Sequence, residues 1–175
     1  MTPPRRTSAR RRHRGTGPLL FLDVDGTLIP FGQSEHQVPL DSTSDSYLSR
    51  LDPQIGTRLT ALPFQLVWAT TWEDDANTVV APRLGLPLLP VVRWPEPTPA
   101  DELEDQWFNL HWKTRTLVAW AAGRPFVWVD DEITEADEDW VEKHHPGRAL
   151  LHRVEPAQGI TYADLNTIDT WIRAT

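Results

Sequence analysis

The 175-residue chain is long enough for one domain with its own core and too short for two comfortable ones. It has no cysteine, which excludes disulfide frameworks, thiolate metal sites and cysteine nucleophiles, and suits reducing and oxidising compartments equally. The net charge of −8 is unevenly spread: Arg5, Arg6, Arg10, Arg11, Arg12 and Arg14 fall in an acid-free stretch, leaving the remainder with 11 basic and 25 acidic residues, or −14.

In chain order, residues 1–16 read as a disordered Arg-rich tail, either a leader or an arm for nucleic acid or another acidic partner, ahead of a single domain over 17–175. The tail lacks the apolar stretch of a secretory signal, and no apolar run approaches the roughly 18 residues of a membrane span, so the cytoplasm is the expected location by elimination. Short apolar runs then alternate with helical patterns. Strands are predicted over 19–23, 65–70, 88–92, 126–130 and 150–154, and helices over 45–62, 72–84, 114–122, 134–144 and 161–173. Gly85 and Gly123 mark helix ends. Weak alternation in the strands means burial on both faces. The expected fold is α/β: a three-layer, Rossmann-like parallel sheet of about five strands with helices on both faces. Residues 29–44 and 93–110 do not fit the alternation and read as loops or flaps at the rim. Most of the nine tryptophans adjoin apolar runs and are expected to pack in or around the core. His144 and His145 are expected at the surface of a helix end.

Ligands of an open parallel sheet bind beyond the carboxyl ends of its strands. There the sequence places Asp23 and Asp25, Thr70 and Thr71, and Asp130 and Asp131, with Lys113 opening the helix before the fourth strand. If extended geometry persists, Asp23 and Asp25 emerge on one face. So many carboxylates repel one another unless a cation sits among them, and an all-oxygen donor set without thiolate or histidine suits Mg2+. One carboxylate can then attack phosphorus while another exchanges a proton with the leaving oxygen and with water. Lys113 and the Thr70 hydroxyl are candidates to hold phosphoryl oxygens, with Thr71 the rival if the register shifts by one. Gly26 permits the sharp turn after the acids, and Thr27 is expected to fix it by bonding backbone. Gly26, Thr71 and Trp72 are the candidate substrate contacts. For Trp72, Glu73 and Asn77, packing and capping are the competing roles.

The segment DVDGTL resembles the first motif of the haloacid-dehalogenase (HAD) superfamily. Thr70 in LVWAT, Lys113 in HWKTR, and Asp130 and Asp131 in FVWVDD resemble its second, third and fourth motifs, in the family's order. The resemblance implies strand order 5-4-1-2-3, with Asp23 as nucleophile and metal ligand. It makes Asp25 the acid/base with its carbonyl on the metal, Asp130 a direct metal ligand, and Asp131 either a further ligand or a side chain that supports the ligands. An acid at position 25 implies phosphate rather than halide chemistry. The run VWATTWEDDAN further resembles a bacterial subgroup named for its occurrence with RNA-repair proteins. Family members usually carry a cap domain, but the spacing here leaves room for no large one, which implies an open site and a macromolecular phosphate or nucleic-acid end. The expected function is thus a Mg2+-dependent phosphatase. The alternatives are a non-catalytic phosphate- or metal-binding module on the same fold and a receiver-like phospho-acceptor domain, although receivers place their acid pair early and their lysine last.

Overall fold

The computed structural model describes residues 16–32 and 47–174; the arginine-rich stretch and residues 33–46 lie outside them. Four parallel strands, β1 (Leu19–Leu22), β2 (Gln65–Trp68), β3 (Phe126–Asp130) and β4 (Ala149–Arg153), lie in the spatial order β2-β1-β3-β4. The helices are α1 (Pro53–Ala61), α2 (Ala81–Leu84), α3 (Pro99–Phe108), α4 (Thr114–Ala121), α5 (Glu135–His144) and α6 (Tyr162–Arg173), and a π-helical turn, Ala76–Val80, runs into α2. The predicted strand at 88–92, third of the five in chain order, is reduced to one parallel bridge between Trp68 and Val91. Pro87 and Pro90 have no N–H to extend a ladder. Instead the Asn77 side chain donates to the Leu89 carbonyl and accepts from its N–H, both at 2.9 Å. With that bridge in the third position, the order is 5-4-1-2-3.

Alternation across the sheet assigns the two cores. Leu20, Leu22, Leu66, Trp68, Val127 and Val129 pack with α1, α2 and α6. Leu19, Phe21, Val67, Phe126 and Trp128 pack with α4 and α5. Each such side chain contributes roughly 1.5–3 kcal/mol by leaving water, so the two faces hold the sheet before any polar contact is counted.

Three helices start with one device. Thr98, Thr134 and Thr161 accept from the backbone N–H of Asp101, Asp137 and Asp164, whose carboxylates reach back to the threonine N–H. Of the predicted helix at 45–62, residues 45 and 46 lie outside the described residues, 47 and 48 are helical, and after a turn Asp52 caps α1, which begins at Pro53, a residue tolerated in the first turn and not the interior. The predicted helix at 72–84 is interrupted by turns and the π-helical segment, and 93–110 contains α3. His145 is buried rather than on the surface: it packs edge-on to Phe126, and its Nε2 lies 3.0 Å from the Arg124 carbonyl. Burial lowers its pKa. Among the described residues no helix is long and apolar enough to cross a membrane.

Candidate active site

The period of two that sorts the core also places the first pair of acids. Asp23 continues the Leu19 and Phe21 face and Asp130 continues the Phe126 and Trp128 face, so both emerge on the α4 side at neighbouring strand ends. Lys113, at the N-terminal boundary of α4, enters between them. Its Nζ is 2.8 Å from Asp23 Oδ1 and 2.7 Å from Asp130 Oδ2, with all three side chains buried. Asp137 positions that lysine. Besides capping α5, its carboxylate accepts from the His111 N–H at 2.8 Å and the Thr114 hydroxyl at 2.6 Å, which pins the turn ahead of α4. Asp130 is fixed in turn by Trp128 Nε1 at 3.2 Å and the Glu132 N–H at 3.0 Å.

Burial pushes the Asp23 carboxyl up to about 7; Lys113 opposes the rise and Asp130 adds to it. Asp131 is also raised, by burial and then by Asp130. For Lys113 burial acts downward, but the charges of Asp23 and Asp130 outweigh it and the net shift is upward. Negative charge is therefore in excess of what one lysine neutralises.

Carboxylate oxygens of Asp23, Asp130 and Asp131 lie within 4.8 Å of one another, an oxygen-only set able to hold a divalent cation. Gly26 closes this cradle. A Cβ there would stand 2.4 Å from Asp131 Oδ2, and the backbone has φ +70°, where a side chain is strained. We expect Gly26→Ala to weaken Mg2+ binding, read by titration calorimetry, and to cost roughly 1–3 kcal/mol of stability.

Asp25 departs from expectation. The chain leaves extended geometry at Val24, whose carbonyl accepts from Thr27, Leu28 and Ile29 N–H at 3.3, 2.8 and 2.8 Å. The Asp25 carboxylate therefore does not join the Asp23 cluster. Its Oδ1 accepts from the Tyr47 hydroxyl at 2.7 Å and its Oδ2 from Trp72 Nε1 at 2.9 Å, both side chains that pack against the opposite core. Burial and then Asp25 raise the Tyr47 pKa. Trp72, a candidate substrate contact, is thus a donor to Asp25. Trp72→Phe keeps the ring and loses the N–H. If its role is to orient Asp25, kcat should fall about tenfold with KM unchanged; a raised KM would assign it to substrate instead.

Thr70 is buried and its hydroxyl accepts the Trp72 N–H at 3.3 Å, whereas Thr71 is exposed. The Thr27 hydroxyl does not fix the turn: it is buried with no partner, and its backbone does the work, the carbonyl accepting from Ile160 N–H at 2.8 Å. Glu73 pairs with Arg93, and Asn77 is structural, bonding Trp68 Nε1 at 3.0 Å as well as Leu89.

With this geometry in view, residues 19–165 match the family described as the HAD domain in Swiss Army Knife RNA repair proteins. The chain belongs to that family. In fold this HAD domain is similar to the HAD domain of effector protein Lem4 from Legionella pneumophila, at 12% identity, a TM-score of 0.49, and coverage of 87% of this chain and 93% of the other. No curated protein matches it in sequence.

Tyr47, Trp128 and Asp137 hold site residues in place without having been candidates from the sequence. Trp128 had a signal, since it sits two residues before Asp130 on the same strand face. Tyr47 had none, because its contact with Asp25 spans 22 residues along the chain.

Proposed function

We propose that this HAD domain is a Mg2+-dependent phosphatase that works through an aspartyl phosphate on Asp23. The supporting observation is the Lys113 bridge between Asp23 and Asp130 beside Asp131, which presents a nucleophilic carboxylate, a fixed cation and further oxygen ligands at one strand-end crevice. Mg2+ held by the carboxylates of Asp23, Asp130 and Asp131 and the Asp25 carbonyl would supply the positive charge that phosphoryl oxygens need.

The Asp23 oxygen not bonded to Lys113 attacks phosphorus, and the ester P–O bond breaks as Asp25 gives its proton to the leaving oxygen. Asp25 then takes a proton from water as that water attacks phosphorus, which releases inorganic phosphate and restores the Asp23 carboxylate. Tyr47 and Trp72 hold Asp25 in place through both steps, while Lys113 and Thr70 face the phosphoryl oxygens.

The absence of a cap among the described residues and the family's association with RNA repair proteins support a nucleotide or nucleic-acid end as substrate. The test is phosphate release from a panel of nucleotides, an aryl phosphate, and 3′- and 5′-phosphorylated oligonucleotides. Release that requires Mg2+ and stops with chelator is expected. A chain that binds Mg2+ and hydrolyses none of the panel would instead be a binding module.

A further inference from the structure

Helix α3 presents a face that nothing in the described structure covers. None of its residues is buried, and Leu103, Trp107 and Phe108 are exposed, Trp107 by 85%. With the turn at 94–97 and the outer side of α4, the side of α3 that carries Asp101, Glu102, Asp105 and Gln106, and not its apolar residues, walls a groove of about 840 Å³. The groove starts where the candidate active site stops. Trp94 and Trp112 form that boundary, their rings edge-on at 4.7 Å. Trp94 Nε1 donates to the Thr70 carbonyl at 3.1 Å, and the Trp112 ring lies 5.4 Å from Lys113 Nζ.

The charged lining is acidic. Glu96, Asp101, Glu102 and Asp105 face the groove, and Arg115 is the one basic residue among them. Arg115 illustrates what such a surface does with a guanidinium group: it lies 5.0 Å over the Trp140 ring and pairs with Glu104 at 3.0 Å and with Asp105. Carboxylates next to exposed indole faces suit arginine better than lysine, because the flat guanidinium stacks and bonds at once. Glu96 and Glu102 make no ion pair among the described residues.

We propose that this groove is the docking site of the chain's own arginine-rich segment, residues 5–14. Charge selects it. The other segment outside the description, 33–46, has no lysine or arginine and carries Glu35, Asp41 and Asp45, and a second copy of the −14 body would be repelled. Reach permits it. The Gly17 carbonyl is held by Arg124 Nε at 2.9 Å, just beyond the C-terminus of α4, while Arg115, Thr116 and Ala119 of the same helix line the groove. That helix is about 12 Å long, and an extended chain covers roughly 3.3 Å per residue, so Arg14 to Arg5 can span from about 10 to about 40 Å beyond Gly17. The seated segment sets arginines beside the carboxylates of Glu96, Asp101 and Glu102 and the half-exposed ring of Trp112.

The chain has no cysteine, so Ala9→Cys gives a single attachment point for a nitroxide on the full-length protein. In indole N–H spectra at low salt, the Trp107 and Trp112 signals are expected to lose more than half their intensity, while Trp171, packed on the opposite core, keeps most of its own. The loss should reverse in 0.5 M salt and in the same labelled chain carrying Glu96→Lys and Glu102→Lys, and the dispersion of the same spectra reports that each variant is folded. Equal broadening at Trp107 and Trp171, no broadening, or broadening unaltered by salt and by both substitutions overturns the proposal. So does transfer of the effect to unlabelled molecules in a mixture, which would place the segment on another copy.

Discussion

Asp23→Asn protein is expected to fold normally and to lose phosphate release by about 10³-fold or more, the scale on which removing a nucleophile acts. The substitution keeps the shape of the side chain and one acceptor for Lys113, but an amide does not attack phosphorus. A variant retaining more than about one per cent of the activity would remove Asp23 from the reaction. A second reading separates function from fold. Burial holds the folded Asp23 pKa near 7, against about 4 in an unfolded chain. Between those values the folded state binds more protons than the unfolded state, so stability falls as pH rises from about 4 through about 7. Asparagine has no such charge to bury. With chelator present, the variant should therefore melt above wild type at pH 8, and the gap should close towards pH 4. On the proposed reading the nucleophile is a liability to the metal-free fold, and a cation bound beside it would offset that cost.

Gly56→Ala should damage the fold itself. A Cβ at Gly56 would lie 1.9 Å from the Leu84 carbonyl oxygen and 2.7 Å from its carbon, so α1 and α2 meet backbone to backbone. Neither atom belongs to a side chain that can swing away. Helix propensity favours alanine by about 1 kcal/mol, but the overlap forces the two helices apart at a cost of roughly 3 kcal/mol or more, which in a chain of this size lowers Tm by about 6–12 °C. Gly17→Ala is the control, since its Cβ would meet nothing within 4 Å. If thermal denaturation shows Gly56→Ala melting with wild type, the close approach is not a feature of the folded protein. Because α1 supports the core behind Tyr47 and Trp72, a loosened α1 should lower activity as well.

Much of the fold was readable because burial leaves a linear trace. Continuous apolar runs ending in acid or threonine gave the strands on both sides of β1, and threonine followed by aspartate three positions later opened α5 and α6 where the periodicity placed them. The 88–92 run misled because it has the composition of a strand and the prolines of a connector. The helix expected over 45–62 is broken for a similar reason, since its apolar spacing continues through Pro53, a proline that starts a new helix instead of extending one.

The site divides along the same line. Residue type and order along the chain determined which groups are the candidates for chemistry: Asp23, Thr70, Lys113, Asp130 and Asp131 each sit at the end of an apolar strand or the start of a helix, positions fixed by local hydrogen bonding and side-chain alternation. Only the tertiary structure decided how those groups are held. That Asp25 turns away from Asp23 into the grip of Tyr47 and Trp72, and that a helix cap at Asp137 anchors the turn before Lys113, depends on contacts 22 to 47 residues apart along the chain. Such contacts are set by the packing of whole elements, and no local period in the sequence records them.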